Sequence, residues 1–502
     1  MHTDVPTSPG RRPEQQPRPD RSRWVALGVL CVGMLMIVLD ATVVNVALPA
    51  IQADLHFTPA SLAWVVNAYL ISFGGLLLLA GRLGDLISRR GVFLAGLVVF
   101  TGASLLCGIA QTQEVLIVMR FVQGVGGALT SAVILGMIIT MFPEPREQAK
   151  AIGFYSFVAS AGGSIGLLAG GVLTQLMSWH WIFFINVPIG VVAAVFALRV
   201  LERDRGIGFG SGADVPGAVL ITGSLVLGVY TVVEPAARYG WTSPVTLSFL
   251  AGSLVLLGLF VAREATAANP LVPLRIFANR AVSGANVIQA LTVAGMFGMF
   301  FLGVLYQQQV LHYDALATGL SYLPTTVVMG AMSVRYSEKL VTRFGPNRVL
   351  VAGLVLVAAG LLWFARVPMD GSYLIDILPS GLLIGLGVGG CFPALMALAM
   401  SGATAQDAGL ASGLVATTAQ VGAAIGLAVL ATLSATRTQQ LHDAGASAPD
   451  ALLAGFHLGF WVAAGLVAVA VVVAVTVMRP RGTEPAPEAD PDITPEPVAV
   501  VH

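Results

Sequence analysis

Long apolar runs recur along nearly the whole chain, from Trp24 to Met478, and each is long enough to cross a lipid bilayer. The hydrocarbon core of a membrane is about 30 Å thick, which a helix of about 20 apolar residues spans. Only 10% of the residues are charged, whereas about a quarter are charged in a typical soluble protein. The sequence therefore predicts an all-α, polytopic membrane protein surrounded by a lipid bilayer.

Hydropathy delimits fourteen candidate membrane-spanning helices. They lie near residues 24–49, 62–81, 91–110, 114–142, 150–176, 180–199, 215–234, 245–262, 281–308, 316–336, 348–366, 373–399, 409–436 and 457–478. An even number of spans puts both ends of the chain on the same side of the membrane. The end segments 1–23 and 479–502 are rich in proline and charged residues and are predicted to be disordered tails.

The positions of Lys and Arg indicate how these spans are oriented. If both ends are cytoplasmic, the outward loops hold only Arg238, Arg366 and Arg437 of the 26 basic residues, while Arg120 lies inside a span. Basic residues concentrate in the cytoplasmic loops of membrane proteins. We therefore expect a multi-pass protein of the bacterial inner membrane with cytoplasmic N- and C-termini.

A short loop with glycine and basic residues occurs twice. Residues 81–91 read GRLGDLISRRG after the second span, and residues 337–345 read SEKLVTRFG, a degraded version, after the tenth. Two helical halves related by such a repeat are typical of transporters. The sequence therefore predicts two six-helix halves, 24–199 and 263–478, with a linker and an inserted helix pair at 200–262.

Two isolated charges lie inside apolar spans, Asp40 in the first and Arg120 in the fourth. A lone charged carboxylate at that depth costs at least about 2.5–3.5 kcal/mol, so Asp40 is expected to face protein or a water-filled cavity. An arginine keeps its proton at every accessible pH. We therefore expect Asp40 to carry a proton and Arg120 to influence it, with a fixed structural ion pair as the alternative.

The first copy of the repeated loop contains the candidate gating residues. They are Gly81, Gly84, Asp85, Arg89, Arg90 and Gly91. A carboxylate such as Asp85 can sit at the N-terminus of a neighbouring helix, where the helix dipole favours a negative charge. Such a contact would hold one half of the bundle against the other until it breaks. The alternative is a plain basic loop that only fixes the orientation of the spans.

The fifth span has glycines at every fourth position, Gly162, Gly166 and Gly170. This spacing makes a smooth face that another helix can approach closely. The face is interpreted as a sliding surface between the halves, with ordinary tight packing as the alternative. A substrate cavity between the halves is predicted to take its polar contacts from Asn45, Asn67, Tyr69, Gln123 and Gln289.

Several other functions lack the residues that they need. The chain has no Walker A pattern, no CxxC pair and only two lysines, Lys150 and Lys339, so neither ATP nor a metal or other cofactor is expected. A lipid-modifying enzyme would need clustered catalytic side chains at one membrane face, and the longest internal loops contain none. A nutrient importer would need more polar spans. The zero net charge gives no indication of nucleic acid.

The motifs LDATVVNVALPAI (39–51), GRLGDLISRRG (81–91), RFVQGVGG (120–127), the glycine face and WHWIFFINVPIG (179–190) follow one another in this order. Together they closely resemble the fourteen-helix drug:proton antiporters of the major facilitator superfamily. The resemblance implies export of small apolar or amphipathic compounds by a monomer, in exchange for protons.

In that family the helix-one Asp and the helix-four Arg take part in proton coupling, and the loop motif gates the change between outward and inward states. Carried over, these roles fall on Asp40 and Arg120, and on Asp85 with Arg89 and Arg90. The chain departs from the family pattern at Gly166-Leu167, where Gly-Pro is usual, and at His180, where Arg is usual.

Overall fold

The computed structural model describes residues 20–204, 206, 208, 212–401 and 408–477, and within these ranges the regular structure is helical. The predicted tails 1–23 and 479–502 lie outside the described residues, except that the first helix already begins at Asp20.

Fourteen long helices follow one another in the described part of the chain, one for each predicted span. They are α1 (Asp20–Leu55), α2 (Ser61–Leu86), α3 (Arg89–Gly108), α4 (Gln113–Met141), α5 (Pro145–Leu176), α6 (Trp181–Val200), α7 (Val215–Tyr239), α8 (Pro244–Thr266), α9 (Arg280–Gln309), α10 (Ala315–Phe344), α11 (Pro346–Phe364), α12 (Tyr373–Ser401), α13 (Ala408–Asp443) and α14 (Ala448–Val477). Thirteen are long and apolar enough to cross a membrane, and α5 contains a shorter apolar stretch, Ala161–Leu176.

The helices form two bundles, α1–α6 (the N half) and α9–α14 (the C half). Within the N half, α4 packs on α2 and α3, and α1 packs on α5 and α6; within the C half, α9 packs on α13 and α14, and α11 on α12. The halves meet where α2 contacts α13 and where α5 contacts α10. Small residues allow these close approaches: a Cβ on Gly74 of α2 would lie 2.7 Å from the Cβ of Gln420 on α13.

Hydrogen bonds join the halves at one end of the bundle. We call the end where α1 begins and α14 ends the terminal face, and the opposite end the far face. Near the far face, Gln308 Nε2 on α9 donates to the carbonyl oxygen of Val46 on α1 at 2.9 Å. Gln309 Nε2 donates to Gln52 Oε1 at 3.2 Å. These bonds hold α1 against α9 and close the bundle at the far face.

The inserted pair α7–α8 lies beside the contact between the halves, because α7 packs on both α2 and α13. The hydroxyl of Ser224 donates to the carbonyl oxygen of Ser253 at 2.9 Å. In return, the hydroxyl of Ser253 donates to the carbonyl oxygen of Ser224 at 2.9 Å. These reciprocal bonds fasten α7 to α8. On the outer side of α8, Leu254 and Val255 are 58% and 60% exposed, as expected for a helix that faces lipid.

The glycine face of α5 packs on α1 and not on the C half. A Cβ on Gly162 would lie 3.1 Å from Val38 Cγ1, and one on Gly170 would lie 2.7 Å from the carbonyl oxygen of Val43. The contact between α5 and α10 is made by the neighbouring Gly171, where a Cβ would lie 2.7 Å from the carbonyl oxygen of Ala315. The interpretation as a sliding surface between the halves is therefore wrong, because four-residue spacing marks a face without showing which helix covers it.

Substituting Gly166 with valine is expected to destabilise the N half by about 1–3 kcal/mol, because overpacking forces the backbone to shift. A Cβ there would strike Thr42 Oγ1 and lie 3.0 Å from the carbonyl oxygen of Leu39. The matched control is Gly163→Val on the same helix, where a Cβ meets nothing within 4 Å. Thermal unfolding in detergent measures both variants, and an equal loss of Tm in the two would contradict the prediction.

Candidate functional site

Asp40 of α1 and Arg120 of α4 form an ion pair inside the N half. Arg120 Nη1 donates to Asp40 Oδ2 at 2.6 Å, and the two side chains are 1% and 0% exposed. A buried ion pair offsets the cost of removing both charges from water only if further hydrogen bonds satisfy them. The neighbouring side chains provide such bonds.

Two amide side chains donate to the other carboxylate oxygen of Asp40. Gln123 Nε2 on α4 donates to Asp40 Oδ1 at 2.7 Å, and Asn186 Nδ2 on α6 donates to it at 3.0 Å. The same two amides donate to Ser104 Oγ on α3. All these bonds to Asp40 come from N–H groups, so the arrangement fits an ionised carboxylate, which can only accept.

The Arg120 guanidinium has partners on three sides. Its Nη1 also donates to Gln123 Oε1 at 2.6 Å, and its Nε donates to the carbonyl oxygen of Val65 on α2 at 2.9 Å. Its central carbon lies 4.5 Å from the centroid of the Tyr69 ring, in a cation–π contact. We call the connected side chains the polar cluster; its members are Asp40, Ser104, Arg120, Gln123 and Asn186.

Local helix geometry explains how the polar cluster forms. Arg120 and Gln123 are three residues apart on α4, so they project from the same face of that helix. Ser104 and Asn186 are absent from the predicted site residues. Asn186 lies in the otherwise apolar run WIFFINVPIG (181–190), and this isolation is the same signal that marks Asp40. Ser104 has no comparable signal, because serine is common in membrane helices.

The five polar residues predicted for a cavity between the halves lie in different places. Gln123 belongs to the polar cluster and Tyr69 stacks against it. Asn45 donates to a carbonyl of its own helix at 3.1 Å, while Asn67 on α2 and Gln289 on α9 are buried. The structure therefore brings two of the five together at the polar cluster, and a role in substrate binding stays a prediction for all of them.

A cavity of about 250 Å³ lies near the far face, between the far-face ends of α1, α7, α9, α13 and α14. Apolar side chains such as Phe301 and Phe456 form much of its wall, and no charged side chain occurs among the described residues that line it. Gln52 and Gln309, which are bonded to each other across the halves, belong to the same wall. Separating the halves at the far face would break that bond and enlarge the cavity.

The predicted gating loop is shorter than the glycines at 81 and 91 suggest. Helix α2 continues to Leu86 and α3 begins at Arg89, so Gly81 and Gly84 belong to α2, and Gly91 belongs to the first turn of α3. A Cβ on Gly81 would lie 3.9 Å from Ala132 Cβ, and one on Gly84 would strike Val133. Gly84 therefore lets α2 pack closely on α4, whereas a Cβ at Gly81 would make only an ordinary van der Waals contact.

The charged residues of the loop are held within the N half. Arg89 Nη2 donates to Asp85 Oδ1 at 2.9 Å, and Arg89 Nη1 donates to the carbonyl oxygen of Gly136 on α4 at 3.2 Å. Arg90 Nη2 donates to the carbonyl oxygen of Leu198 on α6 at 2.6 Å. Asp85 thus pairs with Arg89 in this conformation, and within the described part of the chain it makes no contact with the N-terminus of a neighbouring helix.

A different carboxylate sits at the N-terminus of α3: it belongs to Asp204, in the segment between α6 and α7. It accepts from Ser88 Oγ and the backbone N–H of Arg89, each at 2.6 Å, and from the backbone N–H of Arg90 at 3.2 Å. Desolvation acts to raise its pKa, but the bonds from Ser88 and the two backbone N–H groups outweigh this effect, so the pKa of Asp204 lies below its ordinary value. The connection to the inserted pair is therefore bonded to the gating loop.

Asp204→Ala is expected to expose the first backbone N–H groups of α3, at a cost of about 1 kcal/mol, as for the loss of a helix cap. Since the folded-state pKa is lowered, the contact is complete above the ordinary aspartate pKa and is lost as the pH falls through the lowered value. Hydrogen exchange of the Arg89 and Arg90 amides should be several-fold faster in the variant at neutral pH. The difference from wild type should shrink under acid; equal rates at neutral pH would contradict the prediction.

Comparison with known proteins identifies relatives of the whole chain. The family model described as Major Facilitator Superfamily matches residues 30–427. The puromycin resistance protein Pur8 of Streptomyces alboniger is 36% identical, over 94% of this chain and 94% of its own length. The cephamycin export protein CmcT of Amycolatopsis lactamdurans is 37% identical, over 92% of this chain and 94% of its own.

Solved structures share the fold at much lower identity. A bacterial homologue of the human lysosomal transporter Spinster, in an inward-facing and occupied conformation, superposes with a TM-score of 0.66 at 13% identity. The match covers 92% of this chain and 98% of that one. At this identity the similarity concerns the fold alone.

Proposed function

This chain belongs to the major facilitator superfamily, among its drug-efflux transporters, and we propose that it exports small apolar or amphipathic compounds in exchange for protons. The observation that carries the proposal is the buried ion pair of Asp40 and Arg120. A proton-coupled antiporter needs a group that can take up and release a proton, and of these two side chains only the carboxylate can do so.

Protonation of Asp40 would remove one charge of this pair. Breaking a buried ion pair in that way costs about 3–5 kcal/mol, which corresponds to more than a hundredfold change in an equilibrium constant. A change of this size is large enough to alter the balance between two conformations of the N half. The proposed cycle therefore links the protonation state of Asp40 to the face of the membrane at which the halves separate.

We assign the terminal face to the cytoplasm of a bacterial cell and the far face to the outside. The support for this orientation is the distribution of Lys and Arg along the sequence, of which only Arg238, Arg366 and Arg437 fall in the segments that connect spans at the far face. The bonds between α1 and α9 would then close the outside. A proton from outside would reach Asp40 as the far face opens and substrate leaves, and proton release to the cytoplasm would reset the carrier as a monomer.

The proposed substrates are natural-product antibiotics or similar compounds with an apolar body and few charges. The relatives Pur8 and CmcT bear names that refer to puromycin resistance and cephamycin export. In this chain, the cavity at the far face combines apolar walls with amide and hydroxyl groups. Such a wall would bind substrates chiefly through apolar surface, with a few hydrogen bonds to fix orientation.

Inside-out membrane vesicles test this function directly. The lumen of such vesicles corresponds to the cell exterior, and respiration acidifies it. We expect puromycin or a cephamycin to accumulate in the lumen, to lose its accumulation on addition of a protonophore, and to collapse part of the pH gradient as it enters. Movement of the compound out of the lumen together with protons would identify an importer and contradict the proposal.

A further inference from the structure

One buried amide oxygen of the polar cluster has no hydrogen-bond partner among the described residues. Asn186 Nδ2 donates to Asp40 Oδ1 at 3.0 Å and to Ser104 Oγ at 3.3 Å. Asn186 Oδ1 is buried and accepts no hydrogen bond from any described residue. An unpaired amide oxygen in the interior is costly, so its presence next to the proposed proton carrier requires an explanation.

A protonated Asp40 would need something that the cluster does not offer in its present form. The carboxylic acid carries an O–H and must donate it to an acceptor. Gln123 Oε1 already accepts from Arg120 Nη1 at 2.6 Å, and the carbonyl oxygen of Val65 already accepts from Arg120 Nε. Among the amide and hydroxyl oxygens of the polar cluster, Asn186 Oδ1 is the one that accepts no hydrogen bond from the described residues, so its acceptor capacity is fully available.

We propose that Asn186 is a positioning residue that follows the protonation state of Asp40 by rotating its side-chain amide about the Cβ–Cγ bond. This inference rests on the proposed function, in which Asp40 carries the proton. With Asp40 ionised, Nδ2 faces the carboxylate and donates to it. With Asp40 protonated, a half-turn brings Asn186 Oδ1 to the position of Nδ2, where it accepts the carboxylic proton.

The rotation leaves the hydrogen bonding of Asn186 balanced. Before it, Oδ1 is the unpaired atom; after it, Nδ2 takes that unpaired position, so the number of unpaired amide atoms does not change. Ser104 Oγ accepts from Asn186 and from Gln123, so its own O–H is free to donate to the rotated Oδ1. Gln123 cannot rotate in the same way, because its amide N–H groups would then face the Arg120 guanidinium.

Infrared difference spectroscopy of the purified protein during a pH titration observes both groups at once. Protonation of Asp40 produces a carboxylic C=O band that is absent from Asp40→Asn. We expect an asparagine amide C=O band to shift over the same pH range, to respond to isotopic labelling of asparagine, and to disappear in Asn186→Leu. The other charged and titratable groups around Asp40 are Arg120, Tyr69 and Cys107, and none of them is altered in these variants.

Gln123→Leu is the matched variant, because Gln123 also donates to Asp40 Oδ1 but supports only its ionised form. Losing that bond should raise the pH at which the carboxylic band is half developed by about one unit. Asn186→Leu loses a partner of both forms, so its midpoint should move by less than half as much. Asn186→Ser should stay near wild type, because a hydroxyl can either donate or accept.

The proposal is overturned if Asn186→Leu raises the midpoint as much as Gln123→Leu, since an amide that only donates would do this. It is also overturned if the wild-type spectrum shows the Asp40 band without an accompanying asparagine band, a result that does not depend on whether any Asn186 or Gln123 variant folds. If the wild type shows no carboxylic band that Asp40→Asn removes, the assignment of Asp40 as proton carrier has failed, and the role of Asn186 fails with it.

Discussion

Asp40→Asn is expected to lose export driven by a pH gradient while it still exchanges substrate across the membrane. Asparagine occupies almost the same volume and can still accept hydrogen bonds from Gln123 or Asn186, but it has no proton to release. For a one-to-one exchange, a gradient of one pH unit supports about a tenfold concentration ratio of substrate in the wild type. The variant should reach equal concentrations on both sides.

Proteoliposomes with an imposed pH gradient measure this ratio, and counterflow of labelled substrate without a gradient measures exchange. Asp54→Asn is the matched control, since Asp54 is on the same helix and accepts from Trp179 Nε1 at 2.9 Å, outside the polar cluster. The control should concentrate substrate as the wild type does. Loss of counterflow in Asp40→Asn would indicate a structural role for Asp40 instead.

Arg120→Gln is expected to destabilise the protein more than any other single change in the polar cluster. It leaves the Asp40 carboxylate buried without its counter-ion, and breaking a buried pair from one side costs about 3–5 kcal/mol. The double variant Asp40→Asn/Arg120→Gln removes both charges and should recover most of that loss. It should nevertheless fail to export against a gradient, because no carboxylate remains at the site to carry the proton.

Thermal unfolding in detergent and the yield of monodisperse protein compare the single and double variants. Arg120→Lys is an informative third variant: lysine keeps the charge but cannot bond in fixed directions to Asp40, Gln123 and the Val65 carbonyl at once. It should be more stable than Arg120→Gln and less stable than wild type. A double variant no more stable than Arg120→Gln would contradict the role of the buried charge.

The helices could be predicted from the sequence because membrane spans are marked by composition and length alone. Each predicted span corresponds to one helix, although α1 extends from Asp20 to Leu55, beyond the predicted 24–49. The ends of helices are set by polar contacts outside the apolar run, which hydropathy does not record. The placement of α7 and α8 beside the contact between the halves depends on packing, and it could not be read from their sequence.

The polar cluster could be predicted only in part. Asp40 and Arg120 stand out because an isolated charge in an apolar span is costly and needs a partner. Asn186 gives a weaker form of that signal, because a neutral amide in an apolar run carries a smaller penalty than a charge. Ser104 gives none, and it is recognised only when packing brings it to the amides that bind the carboxylate. Tyr69, which the sequence suggested for a substrate cavity, lies against Arg120, and its role in substrate binding stays a prediction.

The loop after α2 illustrates a contact between segments far apart in the chain. The sequence pointed to Asp85 as a carboxylate for a helix N-terminus, yet Asp204 occupies that position at the start of α3. More than a hundred residues separate Asp204 from its partner Ser88 in the sequence, and no local pattern links the two. The loop Ile87–Ser88 is thereby connected to the segment that leads to the inserted pair.

The most direct test of Asp40 as the coupling carboxylate is the proton release that accompanies substrate binding to purified protein in weakly buffered detergent solution. A pH-sensitive dye follows the protons while a transported compound is added near neutral pH. The account predicts that substrate displaces protons from the wild type and from Asp54→Asn, and displaces none from Asp40→Asn, which still binds the compound. Undiminished proton release from Asp40→Asn would show that another group couples the two movements and would contradict the account.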